Sequence, residues 1–153
     1  MTTAFFSADT AAGRIHPIVT AAPRELRAES ATITAAEFVD RYCTTGGPIR
    51  LGGWSVAKRH TGSAEYSATL AFGEQIRTVR ATASGPVAAM TSALYAVGIA
   101  VEVLAFHQRR TADGTATFVH CECDGRRGWA AALAGDETES ALQAMIAGVN
   151  RLR

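Results

Sequence analysis

The chain has 153 residues, 48% of them apolar and 19% charged, and a formal net charge of +1 at pH 7. That length suits one domain with a sizeable core, and the charge balance shows no basic excess for nucleic acid and no acidic tail for a basic partner. No apolar run approaches the roughly 20 residues of a membrane span, the opening Met1-Thr2-Thr3-Ala4-Phe5-Phe6 does not read as a signal peptide, and three cysteines fit a reduced, cytoplasmic protein better than a disulfide scaffold.

Residues 1 to about 33 show weak periodicity and carry Gly13, Pro17 and Pro23. They read as an extended or partly disordered arm whose Phe5, Phe6, Ile15, Ile18 and Val19 could dock on a partner surface. Thr34 followed by Glu37 is a capping-box pattern that opens a short helix with Phe38, Val39 and Tyr42 on its apolar side. Thr45-Gly46-Gly47-Pro48 ends it as a loop.

From Ile49 the period changes to two. Trp54 and Val56 alternate with polar neighbours as far as His60, and Thr61-Gly62-Ser63 reads as a turn. Tyr66, Ala68, Leu70 and Phe72 mark the next strand, Gly73-Glu74 a tight turn, and Gln75 to Ala83 a third strand. At Ser84-Gly85-Pro86 a helix begins, capped by Ser84 or Gly85 with Pro86 in the first helical position. Val87, Met90, Leu94 and Val97 form its apolar stripe, and Gly98 suits a left-handed C-terminal residue.

The pattern then repeats. Val101, Val103 and Ala105 alternate with Glu102, Leu104 and Phe106; Ala112-Asp113-Gly114 turns. Phe118 to Cys123 is a strand, Asp124-Gly125 a hairpin signal, and Arg126 to Ala134 a strand. Asp136 with Glu139 makes a second capping box for a helix carrying Leu142, Met145, Ile146 and Val149. The hairpin turns at Gly73 and Asp124 lie 51 residues apart, and the helix starts at Pro86 and Thr138 lie 52 apart. Matching offsets at two landmarks indicate an internal duplication. The expected fold is α+β, two pseudo-symmetric β-β-β-α units preceded by an N-terminal arm and a short helix. Residues 1–48 form the arm and linker helix, and the halves span about 49–98 and 99–153. Units this small should pack on each other or on a second chain.

Chemistry is sparse. On a strand, Cys121 and Cys123 share a face and His120 points to the other, so they read as two buried small hydrophobes rather than metal ligands. His107 reads as a surface or satisfied histidine, and His16 and His60 are isolated. Cys43 has no His or Asp placed near it in a nucleophile pattern. No phosphate loop, dinucleotide fingerprint or nucleophile elbow is present. Trp54 and Trp129 are core or interface anchors, and Arg109-Arg110 and Arg126-Arg127 read as solvated strand ends able to meet an anion. The helix start at Gly85 leaves free N–H groups that could seat a carboxylate, although most capped helices bind nothing. No metal or cofactor is expected.

Ser84-Gly85-Pro86-Val87-Ala88-Ala89, followed by Ala93-Leu94 and Val97-Gly98, resembles the C-terminal regulatory domain shared by 2-isopropylmalate synthases and citramalate synthases. Trp129 thirteen residues before Leu142, the closing Val149-Asn150-Arg151, Pro23-Arg24-Glu25-Leu26 and the helix from Thr34 to Tyr42 agree with that family in order and spacing. The resemblance covers about residues 20 to 153. It implies a homodimeric domain of two β-β-β-α units that binds an end-product amino acid, leucine in the synthase, between its halves near the helix starts. The family's catalytic TIM barrel needs roughly 250 residues. This chain cannot hold it, so the resemblance implies a free-standing regulatory-type domain.

Carried over by position, the ligand contacts fall on Ala83, Gly85, Val87, Ala88, Val103, Phe106, Arg110, Gly135 and Glu137. Ala83 replaces a family glycine, Phe106 a tyrosine, Arg110 a small residue and Glu137 an apolar one; Ala130-Ala131-Ala132 stands where Gly-Val-Gly is usual. A pocket that gains Arg110 and Glu137 should favour a more polar ligand than leucine, unless the two pair and close it. The resemblance therefore implies a non-enzymatic domain that binds a small amino acid or carboxylate, with a separately encoded synthase as partner and no nucleic-acid or membrane partner. Two alternatives stand beside it. One is a small lyase, isomerase or cyclase with Glu137 as base and Arg110 as carboxylate clamp. The other is a purely structural dimerisation module.

Overall fold

The computed structural model describes residues 17–44, 46–58 and 62–153. The expectations for Phe5, Phe6, Ile15, His16, Thr45, His60 and Thr61 lie outside the described residues. Three helices come first: α1 (Pro17–Thr20), α2 (Arg24–Glu29) and α3 (Ala35–Tyr42). Then β1 (Ile49–Lys58), β2 (Ala64–Phe72), β3 (Gln75–Ala83) and α4 (Pro86–Ala96) form one unit. A second follows with β4 (Val101–Thr111), β5 (Gly114–Cys123), β6 (Arg126–Ala134) and α5 (Glu137–Leu152). Each unit is a three-stranded antiparallel sheet in sequential order, followed by a helix, as the duplicated pattern predicts.

Local chemistry explains the joints. Asp124 and Gly125 both have positive φ, 53° and 78°, which a two-residue hairpin turn demands. Gly98, at φ 93°, lets the chain leave α4 through a left-handed residue. Gly85, rather than Ser84, is the N-cap of α4, with Pro86 opening the helix. Thr34 and Glu37 form the full reciprocal capping box of α3. At α5 only half the expected box forms. Asp136 accepts from the N–H groups of Thr138 and Glu139, while the Glu139 carboxylate accepts from Gln143.

Both first strands carry a bulge, between Leu51 and Trp54 in β1 and between Val103 and Ala105 in β4. The expected alternation of Val101, Val103 and Ala105 breaks there. An inserted residue flips every later side chain, so Phe106, not Ala105, shares the helix-side face with Val103. That face carries the main core, with Leu70, Val79, Met90, Leu94, Val119, Cys121, Met145, Ile146 and Val149 among its members. Strand β5 also begins at Gly114, four residues earlier than expected, with Thr115 and Thr117 buried.

The N-terminal segment departs from the extended arm predicted for it. From Pro17 onward it is helical and packed, with Ile18 1% and Leu26 0% exposed. Helices of four and six residues have little intrinsic stability, so tertiary burial decides their state. Ile18, Leu26, Phe38, Val39 and Tyr42 join Ala116, Phe118, Trp129 and Ala131 in a second core on the opposite face of the second sheet.

The closing Val149-Asn150-Arg151 ties these parts together. The Asn150 amide accepts from the Ile49 N–H at 3.0 Å and donates to the Ile49 carbonyl at 2.8 Å, occupying the free edge of β1 as a strand neighbour would. Arg151 donates to the Trp129 carbonyl at 2.6 Å, with its guanidinium 4.9 Å from the Tyr42 ring centroid. The Tyr42 hydroxyl donates to Glu29 at 2.7 Å.

Candidate functional site

Each unit brings together the end of its last strand, the start of its helix and the far end of its first strand. In the second unit the join is a polar relay. Gln108, on β4, donates through Nε2 to the Glu137 carbonyl and to Thr117 Oγ1, both at 2.9 Å. The buried hydroxyls of Thr117 and Ser140 are 2.7 Å apart, and Ser140 donates to the Thr115 and Ala132 carbonyls at 2.9 and 3.1 Å. A carbonyl can only accept, so the bond to Glu137 fixes which end of the Gln108 amide faces the helix. Its Oε1 is turned away from the relay.

The expected ligand positions fall into two groups. Ala83, Gly85, Val87 and Ala88 lie together at the β3–α4 junction. Val103, Phe106 and Arg110 share the helix-side face of β4, because their partners Cys121, Val119 and Thr115 alternate on β5. Gly135 and Glu137 flank the α5 N-cap, joined to this strip through Gln108. The two groups communicate through helix packing, where Met90 of α4 and Leu142 of α5 line one small cavity. Arg110 and Glu137 are both exposed, and no ion pair joins them among the described residues, so they do not close the cleft by pairing.

Gln108, Thr117 and Ser140 were not singled out from sequence. The signal is visible only on comparing the halves. The helix N-caps Gly85 and Asp136 lie 51 residues apart, because α5 begins at Glu137, one residue before the expected Thr138; by these caps and the strand register, Val56, Tyr66 and Ala89 stand where Gln108, Thr117 and Ser140 stand. Likewise Trp54 and Lys58 stand where Phe106 and Arg110 stand. Both first strands thus present an aromatic and a basic side chain four residues apart, separated by an apolar residue in one unit and an amide in the other.

The thiols are not prepared for nucleophilic or metal chemistry. Burial pushes both Cys43 and Cys121 up to about 12, and burial raises Cys123 as well. Thiolate, the reactive form, is therefore suppressed at neutral pH. Cys121 and Cys123 face α5 while His120 stacks on Trp129 across the sheet, ring centroids 4.9 Å apart, the split that strand alternation predicts. The larger cavities lie elsewhere. One of about 350 Å³ is lined by α1, α3, β1, β6 and α5, and one of about 490 Å³ by α4, the start of β4 and the β5–β6 turn. None of the nine expected positions lines either of them.

These features define a duplicated α+β domain in which each sheet hands its last strand to a capped helix. The chain belongs to the LeuA allosteric (dimerisation) domain family, whose sequence model matches residues 30–153. Among curated proteins it is similar to the 2-isopropylmalate synthase of Corynebacterium efficiens, 30% identical over 125 residues. It is similar also to those of Leifsonia xyli subsp. xyli, 32% over 109 residues, and Corynebacterium glutamicum strain R, 32% over 121 residues. These matches cover 78%, 69% and 74% of this chain and 21%, 18% and 20% of the synthases, respectively. The chain spans about a fifth of the length of the curated relatives it matches. Among the described residues, no helix is long and apolar enough to cross a membrane.

Proposed function

We propose that the chain is a homodimeric regulatory domain that binds a small, leucine-like amino acid or carboxylate and regulates or complements a 2-isopropylmalate synthase. The family match over residues 30–153 carries this reading. The geometry supports it. The α4 start, whose Gly85 N-cap supplies no side-chain acceptor, offers N–H groups for a carboxylate, and Phe106 and Arg110 offer an apolar wall and a cation on β4. Val56, Leu104, Phe106 and Tyr95, exposed by 38%, 38%, 40% and 72%, supply apolar surface for a second copy to cover.

The test is a thermal-shift and calorimetric screen against leucine, isoleucine, valine, their 2-oxo acids and isopropylmalate, with the oligomeric state measured by light scattering. Ligand at 100 times its Kd adds about 2.7 kcal/mol to stability, a plain rise in Tm. Gly85→Ala sharpens the result. The Gly85 φ of −166° suits any residue, and nothing lies within 4 Å of an added Cβ. The variant should fold normally and bind about tenfold more weakly, because its methyl occupies the carboxylate's approach. A monomer that responds to none of these compounds would overturn the reading.

A further inference from the structure

The 350 Å³ cavity lies apart from the helix starts, and its walls are unusual. Two strand edges bound it, Ile49 to Leu51 on β1 and Ala131 to Leu133 on β6, with Ile18, Val39 and Ile146 supplying apolar surface. Both strands are at the edges of their sheets. The Pro48 carbonyl bonds Gly73 within the first sheet and the Ile49 backbone turns outward to Asn150, so alternation turns the Leu51 N–H and C=O outward as well. On β6 the two-residue hairpin makes Cys123 and Arg126 a hydrogen-bonded pair. Counting from there, Trp129, Ala131 and Leu133 face outward, as the Trp129 carbonyl does in accepting from Arg151.

Both outward groups of Ile49, and the carbonyl of Trp129, are thus engaged by α5. The outward groups of Leu51, Ala131 and Leu133 have no hydrogen-bond partner among the described residues. Unpaired backbone groups beside apolar surface are costly, and this cavity falls in the size range of small-molecule sites. The same edge already takes an amide, since the Asn150 side chain meets Ile49 with one donor and one acceptor.

We propose that this cavity binds a small, uncharged, amide-bearing molecule with an apolar body, whose amide pairs with the strand edges at Leu51 and at Ala131 or Leu133. The amide continues along β1 the ladder that Asn150 begins, one backbone period further on. The apolar body lies against Ile18, Val39 and Ile146. The Cys43 thiol on its wall stays protonated and takes no covalent part.

The experiment is a nitrogen–proton NMR titration of the whole chain with N-acetyl-leucinamide, and with its fully N-methylated analogue, which keeps the apolar body and loses the donors. The expected result is saturable movement of the Leu51, Ala131 and Leu133 amide signals, with the helix-start signals of Gly85 and Glu137 unmoved. The N-methylated analogue should bind about tenfold more weakly. Ala147→Leu, which fills the cavity from α5, should abolish binding; if it unfolds, Cys43→Leu fills it from the half-buried wall instead. Equal affinity for the two probes would reduce the site to an apolar hole and overturn the proposal. So would signals that move elsewhere, no binding, or binding that survives in a folded, filled variant. None of these outcomes bears on leucine binding at the helix starts, which the screen above reads separately.

Discussion

Asn150 makes two hydrogen bonds to one residue about a hundred positions away in the chain, and both depend on its being an amide. Asn150→Ala frees the Ile49 N–H and C=O at a half-buried edge, and we expect a loss of about 1–3 kcal/mol in urea unfolding. Asn150→Asp keeps the acceptor but sets a carboxylate against the Ile49 carbonyl, so at neutral pH it should cost at least as much as Ala. An Asp variant as stable as the wild type would show that the clasp adds nothing. The thiol of Cys121, fully buried against α5, gives a second residue-scale expectation. Its pKa stands at about 12 in the fold against 9.0 unfolded, so the folded state holds its proton longer. The stability this represents is fully present below pH 9 and is lost as pH rises from about 9 towards 12, at up to about 1.4 kcal/mol per pH unit. Cys121→Ala should flatten that part of the pH–stability curve. An unchanged slope would assign the alkaline loss to other groups.

Among the elements, the β4–α5 joint is held by side chains whose energies cannot be separate. Ser140→Ala removes the acceptor for the Thr117 hydroxyl and leaves it buried, at a cost of about 1–3 kcal/mol. Thr117→Val should cost a similar amount. The double variant should cost clearly less than the two together, because it removes both halves of the pair. Additive values in a double-mutant cycle would mean that the hydroxyls are not coupled. This joint also marks where sequence reading stops. The strand segments, turns, helix N-caps and the duplication were legible, because they are set by residues within a few positions of one another. The bulges at Gly52 and Gly53 and at Leu104 were not, because an extra residue is defined only against its partner strand, and the bulge in β4 decides that Phe106 rather than Ala105 faces the helices. The Gln108 relay was hidden for the same reason, since its members are brought together by strand register and helix docking. The α1 and α2 helices were missed because their stability comes from the sheet beneath them.

On the scale of the molecule the two halves are copies with different obligations. The face of the first sheet away from the helices carries Ser55, Ser67, Thr69, Thr78 and Thr82 and can meet water. The corresponding face of the second sheet carries Ala116, Phe118, Trp129 and Ala131, with Phe118 0% and Trp129 5% exposed only because α1, α2 and α3 lie over them. Burying such side chains contributes about 1.5–3 kcal/mol each. The helices preceding β1 are therefore the second layer of the second unit, not a tether ahead of it. Arg151 reinforces the arrangement by reaching both Trp129 and Tyr42 from the last turn of α5. A chain cut to residues 46–153 should consequently lose cooperative unfolding, bind a hydrophobic dye and aggregate, although both β-β-β-α units remain. A truncated chain that unfolds in one transition at the wild-type midpoint would refute this and show that the two units alone hold the fold.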